Sequence, residues 1–197
     1  MTTIRNALAA DADALYEVCL RTAAGGDDGT DKFDDPLLPG AIFSVPYPIF
    51  EPSLAFVAED EQGVGGYIVG ARDTLEFGAV LEREWWPKLR EQYPLGVSRG
   101  ADDQRMVEHI HNPPAPPEVA YPDYPSHLHI NLLPRMQGQG LGRKLMDVLF
   151  AELRAQGSPG VHLNVWAHNE RAVAFYRHLG LGQLHDNGTG FTMGARF

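Results

Sequence analysis

Apolar and polar positions in the first third of the chain alternate in ways that predict both strands and helices. The predicted elements are a strand ending at residues 3–4, a helix at 10–22, an acidic loop at 25–35, short turns or a broken helix at 36–52, and strands at 53–59 and 65–71. In the helix, a 3.6-residue repeat places Leu15, Val18 and Cys19 on one face. The two strands flank Gly63, so they are predicted to form a hairpin.

The middle of the chain has a different pattern. It contains an amphipathic stretch at 75–93 with Trp85 and Trp86, a second helical segment at 102–110, and a proline-rich segment at 111–125. Proline lacks an N–H group and fixes φ, so the last segment is neither a helix interior nor a central strand. We expect an extended cover or a loop at the rim of a site, and a flexible linker is the alternative.

The last third returns to strongly periodic patterns. The predicted elements are a strand at 127–132, a helix at 141–153 ended by Gly157, a strand at 161–166, a helix at 170–179 with Asn169 as N-cap and Gly180 as C-cap, and a hairpin of 181–185 and 191–197. In the first of these strands His127, His129 and Asn131 share one face. The order of elements predicts an α+β fold: a central mixed, mostly antiparallel sheet flanked by helices.

Composition and charge narrow the function. The chain has 197 residues, 44% of them hydrophobic and 21% charged, with one cysteine. That length fits one domain spanning 1–197, and the absence of a long apolar run or a secretory pattern predicts a cytoplasmic protein without a membrane partner. The net charge of −10 excludes a nucleic-acid partner and favours a cationic substrate such as an amine, although it also serves solubility. Cys19 lies in the apolar helical pattern and is predicted to be a core residue.

Three glycines, Gly138, Gly140 and Gly142, separate the strand at 127–132 from the following helix. Without Cβ atoms, main-chain N–H groups there can converge on a ligand, and the helix N-terminus adds a positive dipole. This arrangement is typical of a phosphate site, and Arg135, Arg143 and Lys144 add positive charge. Neither the dinucleotide fingerprint nor the P-loop fits, because both require glycine at position 143.

The segment Gln137-Gly138-Gln139-Gly140-Leu141-Gly142 matches Q/R-x-x-G-x-G/A, the pyrophosphate motif of the GCN5-related N-acetyltransferases. A second stretch, Asn169 to Leu181, resembles that family's N-x-x-A-x-x-F-Y-x-x-x-G-F signature with leucine as the last residue. The opening Ile4-Arg5-x-Ala7 and the helix after it also resemble the family's first strand and helix. The resemblance covers nearly the whole chain except about 75–120, which is predicted to be an insertion. Residues 121–128 further resemble the acetyltransferase-like C-terminal domain of O-GlcNAcases and its free-standing bacterial relatives, some of which are thought to be inert.

The resemblance implies a cofactor site. Acetyl-CoA would insert between the strands 127–132 and 161–166. Its diphosphate would lie on the N–H groups of Gln137, Gly138, Gln139, Gly140, Leu141 and Gly142, beside Arg143 and Lys144. Main-chain groups near Leu132 or Leu133 would donate to the carbonyl oxygen. Asn169 would contact the cofactor, and Tyr176 would be the general acid, unless it only packs on the sheet.

The sequence identifies the general base of the reaction less clearly than the cofactor site. The strand 127–132 carries no carboxylate, so His127 or His129 is the predicted base, with simple packing as the alternative. Asp123 and Glu118 are further candidates. His109, His111, Trp85 and Trp86 are candidates for an acceptor groove. No zinc motif is present, so no metal is expected.

Two hypotheses remain. The chain is an acetyl-CoA-dependent N-acetyltransferase that acts on the amine of a small molecule or a lysine-bearing peptide, or it is an inert module that binds acetyl-CoA or a peptide. It would act as a monomer or homodimer.

Overall fold

A seven-stranded sheet forms the centre of the computed structural model, which describes residues 2–197. Its strands are β1 (Thr3–Asn6), β2 (Ala55–Asp60), β3 (Gly63–Ala71), β4 (Ser126–Leu132), β5 (Gly160–Trp166), β6 (Gly182–Asp186) and β7 (Gly190–Arg196). Their order is β1-β2-β3-β4-β5-β7-β6, and every pair is antiparallel except β4–β5. The predicted α+β fold and both hairpins are confirmed.

Eight α-helices cover the two faces of this sheet. They are α1 (Ala12–Leu20), α2 (Leu38–Phe43), α3 (Pro46–Phe50), α4 (Thr74–Glu84), α5 (Trp86–Gln92), α6 (Ala101–His111), α7 (Leu141–Ala155) and α8 (Glu170–His178), counted over residues 2–197. Helices α1–α6 pack on one face and α7 and α8 on the other. None of the helices described is long and apolar enough to cross a membrane.

The alternation of side chains along each strand divides the core into two layers. Val57, Tyr67 and Val69 pack under α1–α6, whereas the neighbouring Phe56 and Ile68 pack under α7. Cys19 lies in the first layer, where burial raises the pKa of its thiol to about 11, so it is a core residue as predicted.

Helix α7 holds the second layer together. Leu145, Leu149 and Leu153 are fully buried along one face, and each contributes about 1.5–3 kcal/mol of transfer free energy. The helix begins after Gly140, at φ +73°, and ends near Gly157, at φ +77°. Both glycines adopt a left-handed conformation that is costly for other residues, so the sequence fixes both ends of this helix.

The predicted insertion forms helices α4, α5 and α6. The amphipathic stretch 75–93 is two helices, not one. Pro87 has no N–H to donate to a helical hydrogen bond, so the first helix ends before it and a new helix begins after Trp85. Asp73 caps α4 by accepting hydrogen bonds from the N–H groups of Leu75 and Glu76, at 2.8 and 3.2 Å.

The proline-rich segment has no helix or strand over 113–117, forms a short 3-10 helix at Glu118–Ala120, and is fixed by hydrogen bonds at its C-terminal end. The Tyr121 hydroxyl accepts from Leu75 N–H at 3.0 Å, and the Pro125 carbonyl accepts from Thr74 N–H at 2.9 Å. These contacts tie the segment to the start of α4, so the linker alternative is wrong.

Candidate functional site

Strands β4 and β5 begin as neighbours and then separate. They pair only at Ser126–Val161 and His127–His162. On its other edge β4 stays bonded to β3, and the Leu133 N–H donates to the Gly65 carbonyl at 2.8 Å. Because hydrogen-bonding direction alternates along a strand, the main-chain groups of Ile130 and Leu132 face the opening between β4 and β5. We call this opening the gap.

The gap is closed on the face covered by α7 and α8. A Cβ atom on Gly142 would lie 3.1 Å from Phe175 Cζ and 3.5 Å from Leu132 Cδ1. Gly142 therefore allows α7, α8 and the end of β4 to approach closely, a packing role that the glycine motif alone does not reveal.

The glycine loop lies where β4 ends and α7 begins. Gly138 and Gly140 have φ of +74° and +73°, and a Cβ on either would meet no atom within 4 Å. Within residues 2–197, no hydrogen-bond acceptor is found for the N–H groups of residues 138–142. Several unpaired donors at the positive end of a 15-residue helix form a site suited to an anion.

Gln137 braces this loop and adds no free N–H to it. Its main-chain N–H donates to the Pro134 carbonyl at 3.1 Å. Its side-chain Nε2 donates to the Leu132 carbonyl at 2.7 Å. Gln139 makes a similar bond, from its side chain to the Arg135 carbonyl at 2.7 Å. The glutamines of the motif thus hold the loop against the end of β4.

The cations near the loop are less concentrated than the sequence suggests. Arg135 turns toward the β2–β3 hairpin, where it pairs with Asp60 at 3.3 Å and donates to the Gly63 carbonyl at 3.1 Å. Its predicted place beside the phosphate site is wrong, because the hairpin carboxylate binds it. Arg143 and Lys144 remain on the first turn of α7, where both are exposed. Arg143 lies 3.8 Å from Asp147 on the same helix.

The structure distinguishes the two predicted main-chain donors. The Leu133 N–H is already bonded to the Gly65 carbonyl, so it has no free donor for a ligand. The Leu132 N–H faces the gap, as the alternation along β4 requires.

Asn169 caps α8 and reaches across the gap. Its Oδ1 accepts from Ala172 N–H at 3.0 Å, which confirms the predicted N-cap. Its Nδ2 donates to the Gly25 carbonyl at 2.6 Å. Both ends of the amide therefore have protein partners.

Tyr176 is a residue of α8, and its side chain lies in the core layer between the sheet and helices α7 and α8, where it is 9% exposed. Burial raises the pKa of its hydroxyl to about 12, so the phenol is protonated at neutral pH and is a proton donor.

His127 uses both ring nitrogens in a half-buried hydrogen-bond chain. Thr74 Oγ1 donates its one hydrogen to the Pro125 carbonyl and lies 2.8 Å from His127 Nδ1, so Nδ1 must carry the proton. Nε2 then accepts from the Tyr47 hydroxyl at 2.8 Å. Burial holds the pKa of His127 well below 6.5, and neither nitrogen is left for a substrate.

His129 occupies the next position on the same face of β4. Its ring lies 5.4 Å from Phe43 and 5.6 Å from Tyr47, measured between centroids. Burial, followed by the nearby His109 and His162, lowers its pKa to about 4, so the imidazole is neutral at pH 7. In the part of the chain described, no hydrogen bond to its ring is found, and His129 keeps a lone pair for a proton.

His162 was missed by the sequence analysis. It faces His127 across the paired start of β4 and β5 and is 2% exposed. Its Nδ1 donates to the Tyr124 carbonyl at 2.7 Å, and burial lowers its pKa. The alternation of β5, which places Leu163 and Val165 under α7 and α8, predicts this orientation.

A short segment crosses the gap on its other face. Thr22, at the end of α1, accepts at Oγ1 from Asn131 Nδ2 at 2.5 Å. Three residues later the Gly25 carbonyl accepts from Asn169. Residues 22–26 therefore join the separated ends of β4 and β5, and we call them the crossing segment.

The remaining candidates from the sequence lie outside the gap. Asp123 pairs with Arg196, and Glu118 is exposed. Trp86 is 3% exposed and lies in the core. Trp85 Nε1 donates to the Ala41 carbonyl at 2.8 Å, and its ring lines a surface cavity of about 600 Å³ between α3 and α5, whose lining includes no residue of β4 or β5.

The two histidines of α6 also have partners inside the fold. His109 contacts the rings of Phe43 and Trp86, and burial lowers its pKa. His111 Nε2 donates to the Tyr93 carbonyl at 2.8 Å. Across residues 2–197 no group of three or more histidine, cysteine or acidic side chains is placed to hold a metal ion.

Comparison with known proteins identifies relatives for this arrangement. The model of the Acetyltransferase (GNAT) family matches residues 44–181. Protein O-GlcNAcase of Rattus norvegicus is 26% identical over 194 residues, which cover 92% of the chain. The chain spans only about a fifth, 20%, of the length of that relative.

Solved structures give the same fold. The crystal structure of SsHAT is 36% identical, with a TM-score of 0.91 over 99% of this chain and 98% of that one. A phosphinothricin acetyltransferase from Sinorhizobium meliloti, solved with AcCoA, has a TM-score of 0.60 at 17% identity, over 100% and 88% of the two chains. The second likeness concerns the fold alone.

Proposed function

Because the chain belongs to the Acetyltransferase (GNAT) family, we propose that it transfers the acetyl group of acetyl-CoA to an amine. The observation that carries this proposal is the gap between β4 and β5, which ends at a loop of unpaired N–H groups. Family members in general are acetyltransferases, and the unpaired donors supply a reason for this chain to bind the cosubstrate.

The residues present fit acetyl-CoA. The N–H groups of residues 138–142 would bind its diphosphate, and the open space at Gly138 and Gly140 lets phosphate oxygens reach the main chain. The pantetheine arm would lie in the gap, where the main-chain N–H and C=O groups of Ile130 are available to its amides. Leu132 N–H is the proposed donor to the thioester carbonyl oxygen.

The proposed reaction is direct acyl transfer. The amine nitrogen attacks the carbonyl carbon, a C–N bond forms and the C–S bond breaks. The departing thiolate takes a proton from Tyr176, whose hydroxyl is protonated at neutral pH. His129, neutral and without a hydrogen-bonded partner among the described residues, is the proposed acceptor of the proton that the amine loses. His127 is not proposed as base, because both its nitrogens are bonded.

The acceptor is proposed to be a cationic amine, of a small molecule or of a lysine-bearing peptide. The net charge of −10 attracts cations and concentrates them near the protein. A cytoplasmic location is part of this proposal, since the lone cysteine is a buried thiol.

The second candidate function is an inert module that binds acetyl-CoA. One observation favours it: a histidine with a pKa of about 4 is a weak base for an ammonium group. β4 also carries no carboxylate that could serve as the base in place of this histidine.

The deciding experiment combines two measurements on the intact chain. Calorimetry with acetyl-CoA measures binding, and free thiol is followed in the presence of a panel of amines and lysine peptides. Binding with acceptor-dependent thiol release is the expected result. Binding without release would favour the inert module, and no binding would remove both proposals.

A further inference from the structure

Helix α6, in the insertion, carries a buried carboxylate that is bonded to a distant loop. Asp103 is 2% exposed and is the third residue of the helix. Its Oδ1 accepts from Asp34 N–H at 3.1 Å and its Oδ2 from Asp35 N–H at 3.0 Å. A buried charge is costly unless it is paired or hydrogen-bonded, and these two N–H groups, with the helix N-terminus, supply what Asp103 needs.

A second side chain of the insertion holds the same point of the loop. The Tyr93 hydroxyl donates to Asp35 Oδ2 at 2.9 Å. Tyr93 is in turn fixed by His111, whose Nε2 donates to its carbonyl at 2.8 Å. We call Asp103 and Tyr93 the clamp.

The loop that the clamp holds begins at the gap. Its first residues are the crossing segment, which is bonded to Asn131 on β4 and to Asn169 after β5. Between these points and the clamp the main chain is constrained, because Gly29 N–H donates to the Leu20 carbonyl at 3.1 Å and a Cβ on Gly29 would lie 2.7 Å from that oxygen. Residues 22–26 and 34–35 are therefore the two held ends of one short loop, one at the gap and the other at the clamp.

The crossing segment lies on the side from which an amine must approach. The opposite face of the gap is closed by Phe175 against Gly142. The end of the gap at Gly138 and Gly140 is assigned to the diphosphate of the cosubstrate. An acceptor therefore reaches the thioester past residues 22–26.

We propose that Asp103 is a positioning residue for the acceptor: it holds the loop at residues 34–35 so that the crossing segment keeps one geometry over the gap. This rests on the proposed acetyltransferase function. It gives the insertion a role, which is to preorganise the acceptor side of a site whose cosubstrate side is built by β4 and α7.

The test is Asp103→Asn in the full chain. The amide keeps the volume of the carboxylate but turns an N–H₂ group toward one of the two loop N–H donors, so one hydrogen bond is lost. With a short peptide that carries one free lysine, KM is expected to rise about tenfold or more, while the Kd for acetyl-CoA stays unchanged. Asp102→Asn is the matched control, because it removes the same charge from the same helix turn, and Asp102 pairs with Arg105 on its own helix instead of with the loop.

Hydrogen exchange provides a readout that does not depend on activity. In Asp103→Asn the amides of residues 34–35 and 22–26 are expected to exchange faster than in the wild type, and in Asp102→Asn they are not. Tyr93→Phe removes the hydrogen bond to Asp35 and leaves Asp103 in place. It should change the exchange rates and KM in the same direction as Asp103→Asn, but by less.

Faster exchange confined to residues 34–35, with KM unchanged in both clamp variants, would overturn the proposal. A wild-type protein that acetylates no amine would refute the proposed function instead. Exchange at residues 22–26 would still decide whether the clamp controls the crossing segment.

Discussion

At the scale of single residues, His127 and His129 show how the same side chain acquires different roles two positions apart. Both lie on one face of β4 among aromatic rings. His127 is held by Tyr47 and Thr74, whereas no bond to the ring of His129 is found among residues 2–197. The difference lies in partners from α3 and α4, which no local pattern on β4 reveals.

The depressed pKa of His129 predicts the pH dependence of acetyl transfer. A base with a pKa of about 4 is already neutral throughout the range 5–8. We therefore expect kcat/KM to rise with pH only as the acceptor amine loses its proton, with no break near 6.5. A break near 6.5 that disappears in His129→Gln would show that His129 titrates normally.

Tyr176→Phe tests the proposed acid. Removing the hydroxyl should lower kcat roughly 10²-fold or more, because the thiolate loses its proton donor. The Kd for acetyl-CoA should not change. Tyr16→Phe, which removes a half-buried hydroxyl from α1, is the control. Full activity in Tyr176→Phe would show that Tyr176 only packs in the core and is not the acid.

At the scale of elements, α7 offers a matched pair of glycines at its two ends. Gly140 and Gly157 have φ of +73° and +77°, and a Cβ on either meets nothing within 4 Å. Any substitution at these positions therefore causes similar backbone strain. They differ in what they face, since only Gly140 adjoins the unpaired N–H groups at the positive end of the helix.

Gly140→Asp should abolish acetyl-CoA binding, because its carboxylate would repel the diphosphate. Gly157→Asp should cost similar stability, about 1 kcal/mol, and leave binding intact. Calorimetry gives the affinity and thermal unfolding the stability. Equal affinity in the two variants would show that the diphosphate lies elsewhere.

At the scale of the whole molecule, four histidines inside the fold, one buried and three half-buried, make stability depend on pH. Burial lowers the pKa of His109, His127, His129 and His162 in the folded state. The unfolded chain, with histidine pKa values near 6.5, then binds more protons below that pH. The folded state is accordingly stabilised above pH 6.5 and loses this stability as the pH falls.

For His129 alone, a pKa of about 4 in the fold corresponds to a loss of about 3 kcal/mol between pH 6.5 and 4. The thermal midpoint should fall steeply over this interval. In His129→Gln the dependence should be shallower, and in His178→Gln, which changes an exposed histidine on α8, it should match the wild type. A midpoint that is flat from pH 7 to 4.5 would contradict the burial of these rings.

Most elements were predictable because their causes are local. The repeat of Leu145, Leu149 and Leu153, the cap at Asn169 and the left-handed glycines each act within a few residues along the chain. The break between α4 and α5 was missed even though its cause, Pro87, is local.

The sequence by itself determined the order of strands and helices, the two hairpins and the glycine loop, because periodicity, capping and φ > 0 are properties of neighbouring residues. Only the tertiary structure decided that Arg135 pairs with Asp60, that Leu133 N–H is already bonded, that His127 is held by Tyr47 and Thr74, and that Asp103 holds residues 34–35. Each of these depends on a partner at least 50 residues away. Burial and hydrogen bonding between such distant groups, which set the pKa values and the free donors of the site, arise only when the sheet and its two helical layers assemble.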